Sequence, residues 1–77
     1  MPTTTNERWD LPESEIAALH ARYKATRDRR LADRILCVLL KAEKHWSHQE
    51  IAAFLSIHVD TVTDWLNAYL TGGIEQL

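Results

Sequence analysis

Few side chains in this sequence are equipped to make or break bonds. Cys37 is the only thiol. No acid–base partner is evident for it, so it reads as a small buried hydrophobe rather than a nucleophile. His45 and His48 are three apart. A structural zinc site needs four ligands, and no Cys or further His completes that set. No carboxylate pair, activated nucleophile or glycine-rich phosphate loop is apparent, so the expectation is no enzyme, no cofactor and no metal.

Side chains that recognise by hydrogen bond or charge are more numerous, and they form two sets. The first is His58, Asp60, Thr63, Asp64 and Asn67. At about 100° per residue the last four share one side of a helix. A carboxylate can accept from the cytosine amino group and Asn can pair with adenine, so this side is suited to base edges. The same carboxylates also suit basic residues of a partner protein, and Asp60 alone would favour a helix start. The second set is Arg27, Arg29, Arg30, Arg34, Ser47 and His48. Cations along a helix and amides at a helix start are groups that contact phosphates. The competing reading is a solvated helix face paired with Asp28 and Asp33, with Ser47 a simple cap.

Four helices would position these groups. Pro12 suits a first helical turn, Glu13 and Glu15 favour the positive helix start, and Ile16, Leu19 and Tyr23 recur at helical spacing over Pro12 to Ala25. Asp28 is a fitting N-cap for a second helix from Arg29 to Glu43. Its Leu31, Ile35, Val38, Leu39 and Ala42 share one face, while Arg30, Arg34 and Lys41 fall opposite. Ser47-His48-Gln49-Glu50 reads as a capping box opening a third helix that runs to Leu55. Ser56-Ile57-His58 breaks the chain, a fourth helix starts near Val59, and Gly72-Gly73 ends it. The expected fold is therefore all-α, with residues 1–10 a flexible N-terminal segment and residues 11–77 one domain.

A short helix, a three-residue turn and a longer helix make a helix-turn-helix. Ile51 and Leu55 face the core, Ala52 is small where the helices meet, Ile57 plugs the turn, and Val62 and Trp65 line the inner side of the last helix. Five segments carry a family resemblance: Arg29 through Ile35, Leu39 through Glu43, Ser47 through Ala52, Thr61-Val62 with Trp65, and Tyr69 followed by Gly72-Gly73-Ile74-Glu75. Together they resemble the N-terminal DNA-binding region of mariner-like bacterial insertion-sequence transposases, over about residues 11 to 77. The resemblance implies a homeodomain-like helix-turn-helix that binds double-stranded DNA without catalysis, since the nuclease domain that normally follows is not present here. The chain departs from that family at the turn, where Gly is usual and Ser56 stands, and where Ser, Thr or Asn is usual as the cap and His58 stands. The outer face of the last helix usually carries Arg or Lys, where this chain has Asp60, Thr63, Asp64 and Asn67.

Charge is divided along the chain. All nine Lys and Arg lie between Arg8 and Lys44, and with seven acids they leave residues 1–44 at +2; residues 45–77 hold four acids and no Lys or Arg, for −4. Carboxylates on a helix without cations oppose phosphates. The alternative function is therefore an interaction module whose acidic face meets a basic protein partner, or a homodimer. Leu36 and Leu40 widen the apolar arc of the second helix and are the candidates for a dimer interface; packing beneath the segment around Trp9 and Leu11 would explain them equally. Trp9 itself is either a staple onto the first helix or part of a chain–chain contact. No apolar run approaches a membrane span, no secretory signal is visible, and a lone cysteine suits the cytoplasm, or the nucleoid for a DNA-binding protein.

Overall fold

A computed structural model of the protein describes residues 9–77. Four helices follow in order: α1 (Glu13–Ala25), α2 (Arg29–Leu39), α3 (His48–Leu55) and α4 (Val59–Gly72). A π-helical turn, Leu40–Lys44, prolongs α2, and a 3-10 turn, Gly73–Gln76, follows α4. No strand occurs among the described residues. Most of the flexible segment expected at the N-terminus, residues 1–8, lies outside the described residues.

Local chemistry sets the helix boundaries. The Asp28 carboxylate accepts from the Arg30 amide at 3.0 Å and starts α2. The Ser47 hydroxyl accepts from the Glu50 amide at 3.1 Å, and the Glu50 carboxylate accepts from the Ser47 amide at 2.8 Å, closing the capping box. The α2 segment stops where His45 takes the left-handed conformation, φ 56°, and the Lys41 ammonium donates to the Trp46 carbonyl at 3.3 Å. Ser56 is left-handed too, φ 60°, and its amide and that of Ile57 both donate to the Ala52 carbonyl, which turns the chain out of α3. Gly73, φ 77°, ends α4 in the region that glycine enters without steric cost.

The core is built around α2. Ile35, Cys37, Val38 and Leu39 are buried against Ile51 and Ala52 of α3 and Val62, Leu66 and Tyr69 of α4. The thiol of Cys37 is fully enclosed, and burial pushes its pKa up to about 12, partly offset by the Lys41 charge. It is an inert apolar side chain at neutral pH.

α1 covers α2 from outside, burying Leu19. Two polar ties hold it there. The Tyr69 hydroxyl of α4 donates to the Glu15 carboxylate, and the His20 imidazole meets the Glu43 carboxylate at 3.2 Å. Burial, followed by the Glu15 hydrogen bond and charge, raises the Tyr69 pKa. Trp9 belongs to the same assembly. Only 5% exposed, it stacks on the Tyr69 ring with centroids 6.0 Å apart, so it packs into the monomer rather than preceding the domain as a free segment.

Candidate nucleic-acid interface

α3 and α4 pack on each other and on α2, joined by the turn Ser56-Ile57-His58. Ile51, Ala52 and Val62 are buried where the two helices meet, and Ile57 packs against the core beneath the turn. This is the helix-turn-helix that the spacing predicts. The last helix, α4, carries its apolar residues inward, which leaves Asp60, Asp64 and Asn67 exposed along its outer side.

His58 is a working N-cap although it departs from the usual Ser, Thr or Asn. Its Nδ1 accepts from the Asp60 amide at 3.0 Å. The accepting nitrogen carries no proton, so in the neutral imidazole the proton sits on Nε2, a free donor. The His58 side chain is 70% exposed and that of Asp60 87%, so both are open to a partner.

Thr63 has other work. Its hydroxyl donates to the Val59 carbonyl at 3.2 Å and faces the His48 Nδ1 at 3.0 Å. Because the hydroxyl proton is already given to Val59, the imidazole must donate. This pair ties the start of α3 to α4 and engages the Thr63 hydroxyl and the His48 Nδ1 within the monomer. Partial burial lowers the His48 pKa, and the Lys41 charge lowers it further.

The cationic set also divides. Arg27, Arg29 and Arg30 are exposed around the α1–α2 junction, close to Arg22 and Lys24 in the last turn of α1. Among the described residues no Arg or Lys forms an ion pair with Asp28 or Asp33. Arg34 is different: its guanidinium lies 5.5 Å from the centre of the Trp65 ring and donates to the Leu77 carbonyl at 3.3 Å, and its Nε is buried without a partner. It packs α2 onto α4. Periodicity groups it with Arg30 because nothing local marks Trp65 as its neighbour.

The Ser47 hydroxyl is spent on its cap. The first two amides of α3, those of His48 and Gln49, have no acceptor within the helix and point from its positive end. Leu40 is only 6% exposed, so it belongs to the monomer core, whereas Leu36 stays half-buried at the surface. Phe54, which the sequence patterns do not single out, is 59% exposed and edge-on to Trp46, with ring centroids 5.5 Å apart. At helical spacing it sits on the flank of the Ile51–Leu55 face, where periodicity alone does not decide burial.

No helix among the described residues is long and apolar enough to cross a membrane. No curated protein and no solved structure gives a significant match to the chain. A family model described as a homeodomain-like domain matches residues 28–77, which is α2 through the end of the chain and leaves α1 outside. On that match, and with the helix-turn-helix that α3 and α4 form, the chain belongs to the homeodomain-like family.

Proposed function

We propose that this chain is a DNA-binding helix-turn-helix module of the type that opens mariner-like insertion-sequence transposases. The observation that carries the reading is the homeodomain-like domain whose α4 keeps Asp60, Asp64 and Asn67 exposed on its outer side. In this reading α4 lies in the major groove with its N-terminal half against base edges. Asp60 and Asp64 accept from cytosine amino groups, Asn67 pairs with adenine, and the His58 Nε2–H donates to an acceptor such as guanine O6 or N7. Arg27, Arg29 and Arg30, together with the first amides of α3, hold the backbone. The partner is double-stranded DNA, and the compartment is the cytoplasm or nucleoid.

A titration by fluorescence anisotropy tests it, using transposon-end and own-promoter duplexes at low salt. Binding tighter than micromolar that weakens log-linearly with salt supports the reading, and neither tight binding nor a salt slope ends it.

One observation favours a second reading. From His45 onward the chain has no Lys or Arg, so the exposed carboxylates of α4 stand without a cation on their own helix. That surface suits a basic protein partner. The paired substitution Asp60→Arg and Asp64→Arg separates the two: it abolishes binding of a basic partner, whereas it tightens non-specific DNA binding by adding cations to the docking helix.

A further inference from the structure

α3 is short and grips the core narrowly. Ile51 and Ala52 are its buried residues, with Leu55 half-buried beside them. Apolar contact is non-directional, so it holds α3 against α2 and α4 without fixing how the helix is turned or how far it slides. Directional bonds must supply that, because a hydrogen bond weakens steeply outside a narrow range of distance and angle. The start of α3 is held from two sides. On one, the Lys41 ammonium of the π-helical turn donates to the Trp46 carbonyl, and the Trp46 ring packs edge-on to Phe54 of α3. On the other, the His48 Nδ1–H donates to the Thr63 hydroxyl at 3.0 Å. Among the described residues this is the one side-chain hydrogen bond that joins α3 to α4. Thr63 is oriented for it, since its own hydroxyl proton is given to the Val59 carbonyl one turn back.

We propose that the His48–Thr63 bond sets the reach from the phosphate anchor at the start of α3 to the base-reading side of α4, which makes His48 and Thr63 positioning residues for sequence discrimination. The proposal rests on the DNA reading above and adds to it what aligns the two sets of contacts. His48 is the first residue of α3, so its amide belongs to the anchor while its ring reaches across to α4. Thr63 lies between the buried Val62 and the exposed Asp64, three residues after Asp60 and four before Asn67. All three outward groups share one helix with it, so a shift at Thr63 moves them together. Groups that recognise a ligand need supporting bonds that hold them within about 0.5 Å of their productive geometry. Helical spacing alone makes Thr63 a base contact; in this arrangement it acts through its neighbours.

Competition titrations by fluorescence anisotropy test the proposal. They set the duplex that the wild-type chain prefers, selected from a randomised pool, against duplexes altered at one base pair. Thr63→Val removes the hydroxyl and keeps the shape of the side chain. The expected result is a loss of discrimination of about fivefold at every position that the wild type reads, with the salt slope unchanged. Thr63→Ser keeps the hydroxyl and retains discrimination. His48→Ala reproduces the loss and adds nothing in the Thr63→Val background, as two partners in one bond require. A loss confined to one base pair makes Thr63 a direct base contact and overturns the proposal. An equal weakening on every duplex is a general loss of stability and overturns it too, as do full discrimination by Thr63→Val, a failure of Thr63→Ser to retain it, or additive effects of the two substitutions. In each of these cases DNA binding itself stands. A wild-type chain that binds every duplex alike leaves nothing to position, and one that binds none overturns the DNA reading as well. Circular dichroism confirms that each variant is folded.

Discussion

The α1–α2 junction and α4 are opposites in charge and alike in exposure. At the junction Arg27, Arg29 and Arg30 stand open to solvent with Arg22 and Lys24 nearby, while α4 presents Asp60, Asp64 and Asn67 and no cation. One segment can attract a polyanion; the other can read hydrogen-bonding edges but repels phosphates. Affinity and specificity, if the partner is DNA, therefore come from separate elements of this small domain. That division is the one expected of phosphate contacts, which position, and base contacts, which specify. The rigid α2 connects them: it begins at Arg29 and packs on α4 through Arg34 and Trp65.

Removing the cationic region should have the largest effect. The triple substitution Arg27→Ala, Arg29→Ala, Arg30→Ala is expected to weaken DNA binding by about 3 kcal/mol, roughly a hundredfold. The salt slope should fall by about one unit per residue removed. Anisotropy titrations at several salt concentrations measure both. The side chains are exposed, so thermal stability should barely change. If the slope stays unchanged, these residues do not touch phosphates and the contrast with α4 loses its meaning for DNA.

Changes in α4 should act on sequence preference instead. Asp64→Asn removes a carboxylate that accepts from cytosine, and the preferred duplex should lose about 1–3 kcal/mol of its advantage over one altered at that position. Non-specific affinity should rise slightly, since a repulsive charge is gone. Competition titrations with paired duplexes separate the two effects. A uniform change across sequences would place Asp64 near the backbone rather than a base.

The parts of this architecture governed by neighbouring residues were legible in the sequence, and the parts governed by distant packing were not. Asp28, the Ser47–Glu50 capping box and Gly72-Gly73 mark helix boundaries within a turn of themselves, and the structure keeps each at its expected place. Helical periodicity also separates the inward Ile35, Val38, Val62 and Leu66 from the outward Asp60 and Asp64. It gives an angle around a helix, however, and not the neighbour found at that angle. Arg34 and Arg30 lie at similar angles, yet only Arg34 meets the Trp65 ring. Thr63 lies beside Asp64 but is drawn to His48 from another helix. Leu36 and Leu40 are one turn apart, and only Leu40 is covered.

The turn between α3 and α4 yields a smaller, sharper prediction. Ser56 holds a left-handed conformation that costs a residue with a Cβ about 1 kcal/mol. Ser56→Gly removes that cost, and the greater freedom of glycine in the unfolded chain offsets part of the gain. A net stabilisation of up to about 1 kcal/mol is expected, a rise in Tm of a few degrees for a domain of this size. His45→Gly at the end of the π-helical turn provides a second left-handed site for the same test. Calorimetry decides it, and DNA binding should be unaffected because neither change touches the junction cations or the outer side of α4. A loss of stability in both variants would show that the freedom of glycine in the unfolded chain outweighs the backbone term.

The smallest effect concerns His48, which lies between the two regions: it bonds to Thr63 on α4 and feels the Lys41 charge beyond α2. Partial burial and then Lys41 lower its pKa below 6.5, so the folded state resists protonation more than the unfolded chain does. Between 6.5 and that lower value the unfolded state holds the extra proton. Stability from this group is therefore complete above 6.5 and declines as the pH falls through that window. Urea midpoints measured from neutral pH downward should drop more steeply for the wild type than for His48→Gln, which cannot titrate. The carboxylates contribute equally to both proteins, so the difference between the curves isolates the imidazole. Parallel curves would mean that the α3–α4 tie survives protonation at no cost. In that case the acidic α4 and the cationic segment before it would keep their relative placement across the whole range.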